Sequence, residues 1–165
     1  MNKTILIPTD FSIQSLTILK NILTNSTSKS KFNIVLLHGL YLGDSIRDLL
    51  FFSKSKQLES VITNEFEEAL EVISNKFDSK ISSLTIDLFT GYTHAAFNNY
   101  LESKAIEQIY ISEYPFKKTN AKSFDLMPFI KKCGISTLSV DTGILEESFE
   151  KGKIADVFVN QISLG

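Results

Sequence analysis

At 165 residues the chain is long enough for one domain with a substantial core and too short for two comfortable ones. Hydrophobic residues make up 43% and charged residues 22%, an ordinary globular balance. A formal net charge of −2 argues against a general nucleic-acid or anionic-membrane binder, because both need a surplus of Lys and Arg.

Cys133 is the one cysteine, so an intrachain disulfide framework is excluded and a reducing compartment suits the chain. As a lone thiol it reads as a small buried hydrophobe. No stretch approaches the roughly 20 apolar residues of a membrane span, and the apolar run behind Lys3 is too short for a signal-peptide core. A cytoplasmic protein with no membrane partner is expected.

Short apolar runs alternate with helical patterns, which predicts βαβ units and a parallel sheet. Thr4–Pro8 is the first strand, and its near-continuous apolar run predicts burial on both faces. Asp10 or Ser12 can cap the helix that follows, whose apolar side carries Leu16, Leu19, Ile22 and Leu23. A polar loop from Asn25 to Lys31 leads into the second strand, Asn33–His38, which ends at Gly39. The connector Leu40–Gln57 holds the apolar patch Leu49 to Phe52, expected to cover the domain's own edge or to meet a partner. A helix with its seam at Leu58, Ile62, Phe66, Leu70, Ile73 and Phe77 comes next, leaving Glu67, Glu68 and Glu71 on the wet side.

Ser83–Phe89 alternates enough to be a strand with one polar face, possible at an edge, and Gly91 closes it. Thr93 can cap a helix carrying Ala96, Phe97, Tyr100 and Leu101. Gln108–Ser112 reads as a fourth strand and Glu113–Lys122 as a loop. A short helix from about Ser123 or Asp125 to Cys133 follows, with Pro128 in its first turn, and Ser136–Val140 is a fifth strand. These elements occupy a domain over residues 1–141. Residues 142–165 form a tail whose Ile154–Ile162 portion reads as an extra strand or helix at an interface.

ILIPTDFS at the start, LLHGL at Leu36–Leu40, Gly91, EQIYISE at Glu107–Glu113 and KKCGISTLSV at Lys131–Val140 together resemble the universal stress protein family. The resemblance covers roughly residues 3–141. It implies a flavodoxin-like, doubly wound α/β fold: a five-stranded parallel sheet of order 3-2-1-4-5 between two helix layers. It also implies homodimers that often pair through the fifth strands. In the family's nucleotide binders, the first strand's end and the residues after the second strand hold adenosine; here these are Pro8, Thr9 and Asp10, then Gly39 and Leu40.

The family's phosphate loop follows the fourth strand and is built on glycines, which let backbone N–H groups approach phosphate with no Cβ in the way. This chain has no glycine between Gly91 and Gly134, and only Ser123 matches that loop's final hydroxyl. The sequence therefore predicts a divergent, non-enzymatic, homodimeric regulatory or interaction module without an ATP cofactor. The alternative is a binder of AMP, ATP or another small ligand around Asp10.

Asp10 itself has two readings, a brace for the first helix or a ligand contact at the sheet's switch point. Lys117, Lys118 and Lys122 read as a solvated loop or as point charges for an anion. His38 is expected to be a hydrogen-bonded structural histidine and His94 to be exposed. The two histidines fit no metal-ligand spacing, and no G-x-S-x-G, Walker or G-x-G-x-x-G pattern supports nucleophilic or hydride chemistry.

Overall fold

The computed structural model of the chain describes residues 2–27, 29–43, 53–113, 117 and 121–140. The Leu49–Phe52 patch, Lys118 and the tail with its Val157, Phe158 and Val159 lie outside the described residues.

The elements in order are β1 (Lys3–Pro8), α1 (Ile13–Asn25), β2 (Phe32–Leu40), α2 (Lys54–Val61) and α3 (Asn64–Lys76). Then come β3 (Ile81–Phe89), α4 (His94–Ser103), β4 (Gln108–Ser112), β5 (Ser123–Phe124), α5 (Met127–Ile130) and β6 (Thr137–Val140). Five strands run parallel in the order β3-β2-β1-β4-β6, so β6 is the expected fifth strand and the expected edge position of β3 holds. A sixth, two-residue strand was not expected: β5 pairs antiparallel with the end of β2.

Alternation along the strands sorts side chains onto the two faces of the sheet. Ile5, Ile7, Ile34 and Leu36 pack under α1 and α3 with Leu16, Leu19, Phe66 and Ile73. Leu6, Val35, Leu37 and Ile109 pack on the opposite side under α4 and α5 with Phe97, Leu101 and Ile130. Burial on both faces is what a run such as ILI demands of a central strand. The second layer is aromatic: Phe89, Phe97 and Phe129 meet with ring centroids 5.2–5.7 Å apart. Cys133 is only half-buried, its thiol donating to the Ile130 carbonyl at 3.1 Å.

Two expectations need correction. The single helix read from Leu58 to Phe77 is two helices, broken at Ile62–Thr63. Thr63 Oγ1 accepts from Phe66 N at 3.1 Å and starts α3 afresh. Three successive steps of four, from Leu58 to Leu70, drift around a helix by about 40° each, so the seam could not face one core along its full length. The restart turns Phe66, Ala69 and Ile73 back to the sheet.

The second correction concerns the helix expected from Ser123 or Asp125. It shrinks to Met127–Ile130, and Ser123 lies in β5. β1 pairs with β2 only as far as Pro8↔Leu37, whereas β2 runs on to Leu40. Backbone groups at Gly39 and Leu40 are left without a β1 neighbour, and β5 satisfies them.

Candidate functional site

The carboxyl end of β1 is a tight turn held by its own side chains. Phe11 sits at φ 61°, the left-handed region that costs a non-glycine residue roughly 1–2 kcal/mol. Its ring is 2% exposed, 4.6 Å from the His38 ring and 5.3 Å from Phe66. Burying a Phe side chain is worth about 1.5–3 kcal/mol, so packing carries the strained turn. Ser12 caps α1 by accepting from Ser15 N at 3.3 Å. Asp10 Oδ1 in turn accepts from the Ser12 amide at 3.0 Å and from its hydroxyl, while Oδ2 accepts from Lys117 N at 3.2 Å. The carboxylate thus braces the turn through one oxygen and the segment after β4 through the other.

Beside this turn an open cleft of about 620 Å³, mouth included, follows the carboxyl ends of β1, β2 and β4. Of the residues expected to bind a ligand, Pro8, Thr9, Asp10 and Gly39 line it, whereas Leu40 and Ser123 do not. Thr9 contributes surface rather than free polar groups. Its Oγ1 bonds Ser15 Oγ at 2.8 Å and accepts from Phe11 N at 3.0 Å. Leu40 is 1% exposed and pairs with Ser123 in the sheet.

Ser123 is held by His38. The Thr9 carbonyl can only accept, so the 2.8 Å contact fixes the proton on His38 Nδ1. Nε2 is left as an acceptor, and the buried Ser123 hydroxyl donates to it at 2.7 Å. Phe124 then closes over Gly39: a Cβ there would stand 2.7 Å from the Phe124 ring and 2.8 Å from its carbonyl oxygen. Tyr41 N donates to the Lys122 carbonyl at 2.8 Å and continues the same seam. The His38 expectation is met in this geometry.

Burial lowers the His38 pKa from its ordinary 6.5, against the opposing pull of the Thr9 carbonyl and the Asp10 charge. A histidine with a lowered folded pKa is protonated first in the unfolded chain. Stability is therefore complete above pH 6.5 and falls as pH drops below it. Urea unfolding between pH 8 and pH 5 should show that decline. His38→Gln should flatten it, and an unchanged slope would remove His38 as its source.

Sequence reasoning missed several parts of the cleft. Gln14 and Ser15 come from the first turn of α1, Ser112 from the tip of β4, and Asp125 and Met127 from the stretch after β5. The polar residues Ser12, Gln14 and Ser15 directly behind a strand tip were a usable signal. Asp125 carried none, because β5 pairing alone brings it there; its Oδ1 accepts from Met127 N at 3.0 Å and starts α5.

A second polar cluster was also unexpected. Asp87, on edge strand β3, is 3% exposed and bonds Tyr100 OH at 2.7 Å and Leu88 N at 2.9 Å. Lys54 Nζ lies 2.6 Å and Lys104 Nζ 3.8 Å from its carboxylate. Burial pushes this carboxyl up, but the bonds from Lys54, Tyr100 and Leu88 outweigh it and hold it below its ordinary 3.8. Burial and then the Asp87 bond raise the Tyr100 phenol. Among the described residues no group of three His, Cys, Asp or Glu side chains is placed to hold a metal ion, and no helix is long and apolar enough to cross a membrane.

No protein-family model matches the chain, and no curated protein does. Solved structures do. A universal stress protein of Lactobacillus plantarum superposes with a TM-score of 0.53 over 84% of this chain and 97% of its own, at 11% identity. One from Burkholderia pseudomallei gives 0.50 over 84% and 95%, at 10% identity. A universal stress protein in complex with cAMP gives 0.50 over 86% and 98%, at 13% identity. The fold is that of the universal stress proteins. At such identities the likeness is one of fold.

Proposed function

We propose that this chain is a non-enzymatic, universal-stress-like regulatory or interaction module that works as a cytoplasmic homodimer and holds no ATP. One observation carries the reading. Ser123 and Phe124, which follow the stretch where a glycine loop would receive phosphates, are held in the sheet by the Ser123–His38 bond and the packing of Phe124 on Gly39. A hydroxyl already donating to a buried imidazole is poorly placed to serve a phosphate. Strand β6, at the edge of the sheet among the described residues, supports the dimer: it carries Leu138, 49% exposed, and the outer backbone groups of an edge strand can pair with a second copy.

Light scattering at tens of micromolar should give twice the chain mass, and Leu138→Lys, which puts a charge on that edge, should shift the species towards monomer. A strict monomer in the unaltered protein removes the dimer. Calorimetry with millimolar ATP should give no heat. A saturable heat that Asp10→Ala abolishes would instead place the chain among nucleotide binders.

The cleft favours a second reading, a small ligand held at the strand ends around Pro8, Asp10 and Gly39. That position in an open α/β sheet is the usual ligand crevice, and the cleft there is open despite the closure of β5 over Gly39.

A further inference from the structure

Strand β6 is amphipathic, and its apolar side faces the layer of α1. Side chains alternate along a strand, so Leu138 and Val140 share one face while Thr137 and Ser139 share the other. The parallel register sets Leu138 beside Tyr110 of β4, which places Tyr110 on the same face. Tyr110 and Val140 are half-buried and pack against the core under α1 and α3, which identifies the side of the sheet. α1 packs against β4 there, yet Leu138, one strand further out, keeps 49% of its surface exposed.

The chain carries a segment suited to this step. It leaves β6 at Val140, on the same face, and continues through residues 141–165, outside the described residues. At helical spacing Ile154, Val157, Phe158 and Ile162 form one stripe, with Lys153, Asp156 and Asn160 opposite. Strand spacing would instead put Asp156 and Asn160 on the face of Ile154, Phe158 and Ile162. Of the two patterns only the helical one gathers an apolar face. The connecting residues 141–153 extend to roughly 43 Å, ample for a turn back over strands spaced about 4.8 Å apart.

We propose that Ile154–Ile162 is an amphipathic helix that docks on Leu138, Tyr110 and Val140 of its own chain and completes the α1 layer at the β6 edge. A segment tethered this closely meets its seat at an effective concentration in the millimolar range, above that of a second copy at micromolar protein. The seat uses side chains on the face of the sheet, whereas the dimer proposed above pairs backbone groups in its plane. Either can hold without the other.

Hydrogen exchange of the full chain, read by mass spectrometry with light scattering on the same samples, tests this. Peptides covering 154–162 should exchange at least tenfold more slowly in the unaltered chain than in Phe158→Asp or Leu138→Glu. The protection should be equal at low and high micromolar concentration, and Phe158→Asp should keep the mass of the unaltered protein. Leu138 is a surface residue, so its replacement leaves the core intact. Fast exchange of 154–162 in the unaltered chain overturns the proposal, and so does protection that survives Leu138→Glu. Protection that fades on dilution, or a fall in mass in Phe158→Asp, assigns the segment to a second copy and overturns docking within one chain. A monomer with a protected segment removes the dimer and upholds this proposal.

Discussion

Asp87→Ala should lower the free energy of unfolding by about 2–3 kcal/mol, the range for losing charge-assisted hydrogen bonds at a buried carboxylate. The estimate rests on the hydroxyl of the half-buried Tyr100 and the buried Leu88 amide. The lysines add little to it: the side chains of Lys54 and Lys104 are 51% and 43% exposed, and ion pairs in that setting are weak. At about 2–4 °C per kcal/mol for a chain of this size, the melting temperature should drop by roughly 5–10 °C. The variant should also change the acid limb. A carboxyl held below 3.8 in the fold confers stability that is fully present above that value and lost as pH falls through the lower folded pKa. Asp87→Ala should therefore cost most at neutral pH and converge with the parent protein as the pH falls through the lowered folded pKa. A constant difference down to acid unfolding would show that Asp87 acts through packing and not through its charge.

Gly39→Val should cost about 1–3 kcal/mol and loosen β5 in particular. The added Cβ meets the Phe124 ring at 2.7 Å and the Phe124 carbonyl at 2.8 Å; the ring can turn aside, but the carbonyl belongs to the β2–β5 pairing. The strand has only two residues to hold it, so it should yield before β2 does. Hydrogen exchange reads this directly. The Tyr41 amide, bonded to the Lys122 carbonyl, should exchange at least tenfold faster, while the Thr9 amide, bonded to Leu37, keeps its rate. Uniform acceleration of both would point to global destabilisation. Unchanged exchange at Tyr41 would show that β5 is not what closes this end of the sheet.

The two substitutions probe parts of the molecule that the sequence disclosed very unequally. Strands such as Gln108–Ser112 and the caps at Ser12 and Thr93 could be read directly, because burial on two faces and a hydroxyl ahead of an apolar period are local signals. Glu67, Glu68 and Glu71 are exposed as the helical period requires. Asp87 left no such trace. An acid in SLTIDLF reads as the wet side of an edge strand, and only the approach of Lys54, Tyr100 and Lys104 from two helices makes it a buried one. The candidate site divides in the same way. Pro8 and Asp10 belong to the cleft because they stand at a strand tip, and that was legible. Ser123 was matched to a phosphate-loop hydroxyl by its place in the chain, yet it lies behind the cleft, 2.7 Å from His38.

What the sequence determined by itself is the parallel α/β sheet and the turn TDFS at its switch point, since hydrophobic period and capping act over a few residues. Tertiary structure alone decided what stands beside that turn. β2 outruns β1 and leaves Gly39 and Leu40 in need of partners, and a segment more than eighty residues further along the chain supplies them. That demand comes from unpaired backbone groups at one end of a sheet. It has no local signature, which is why the closure of β5 over Gly39 emerges only in three dimensions.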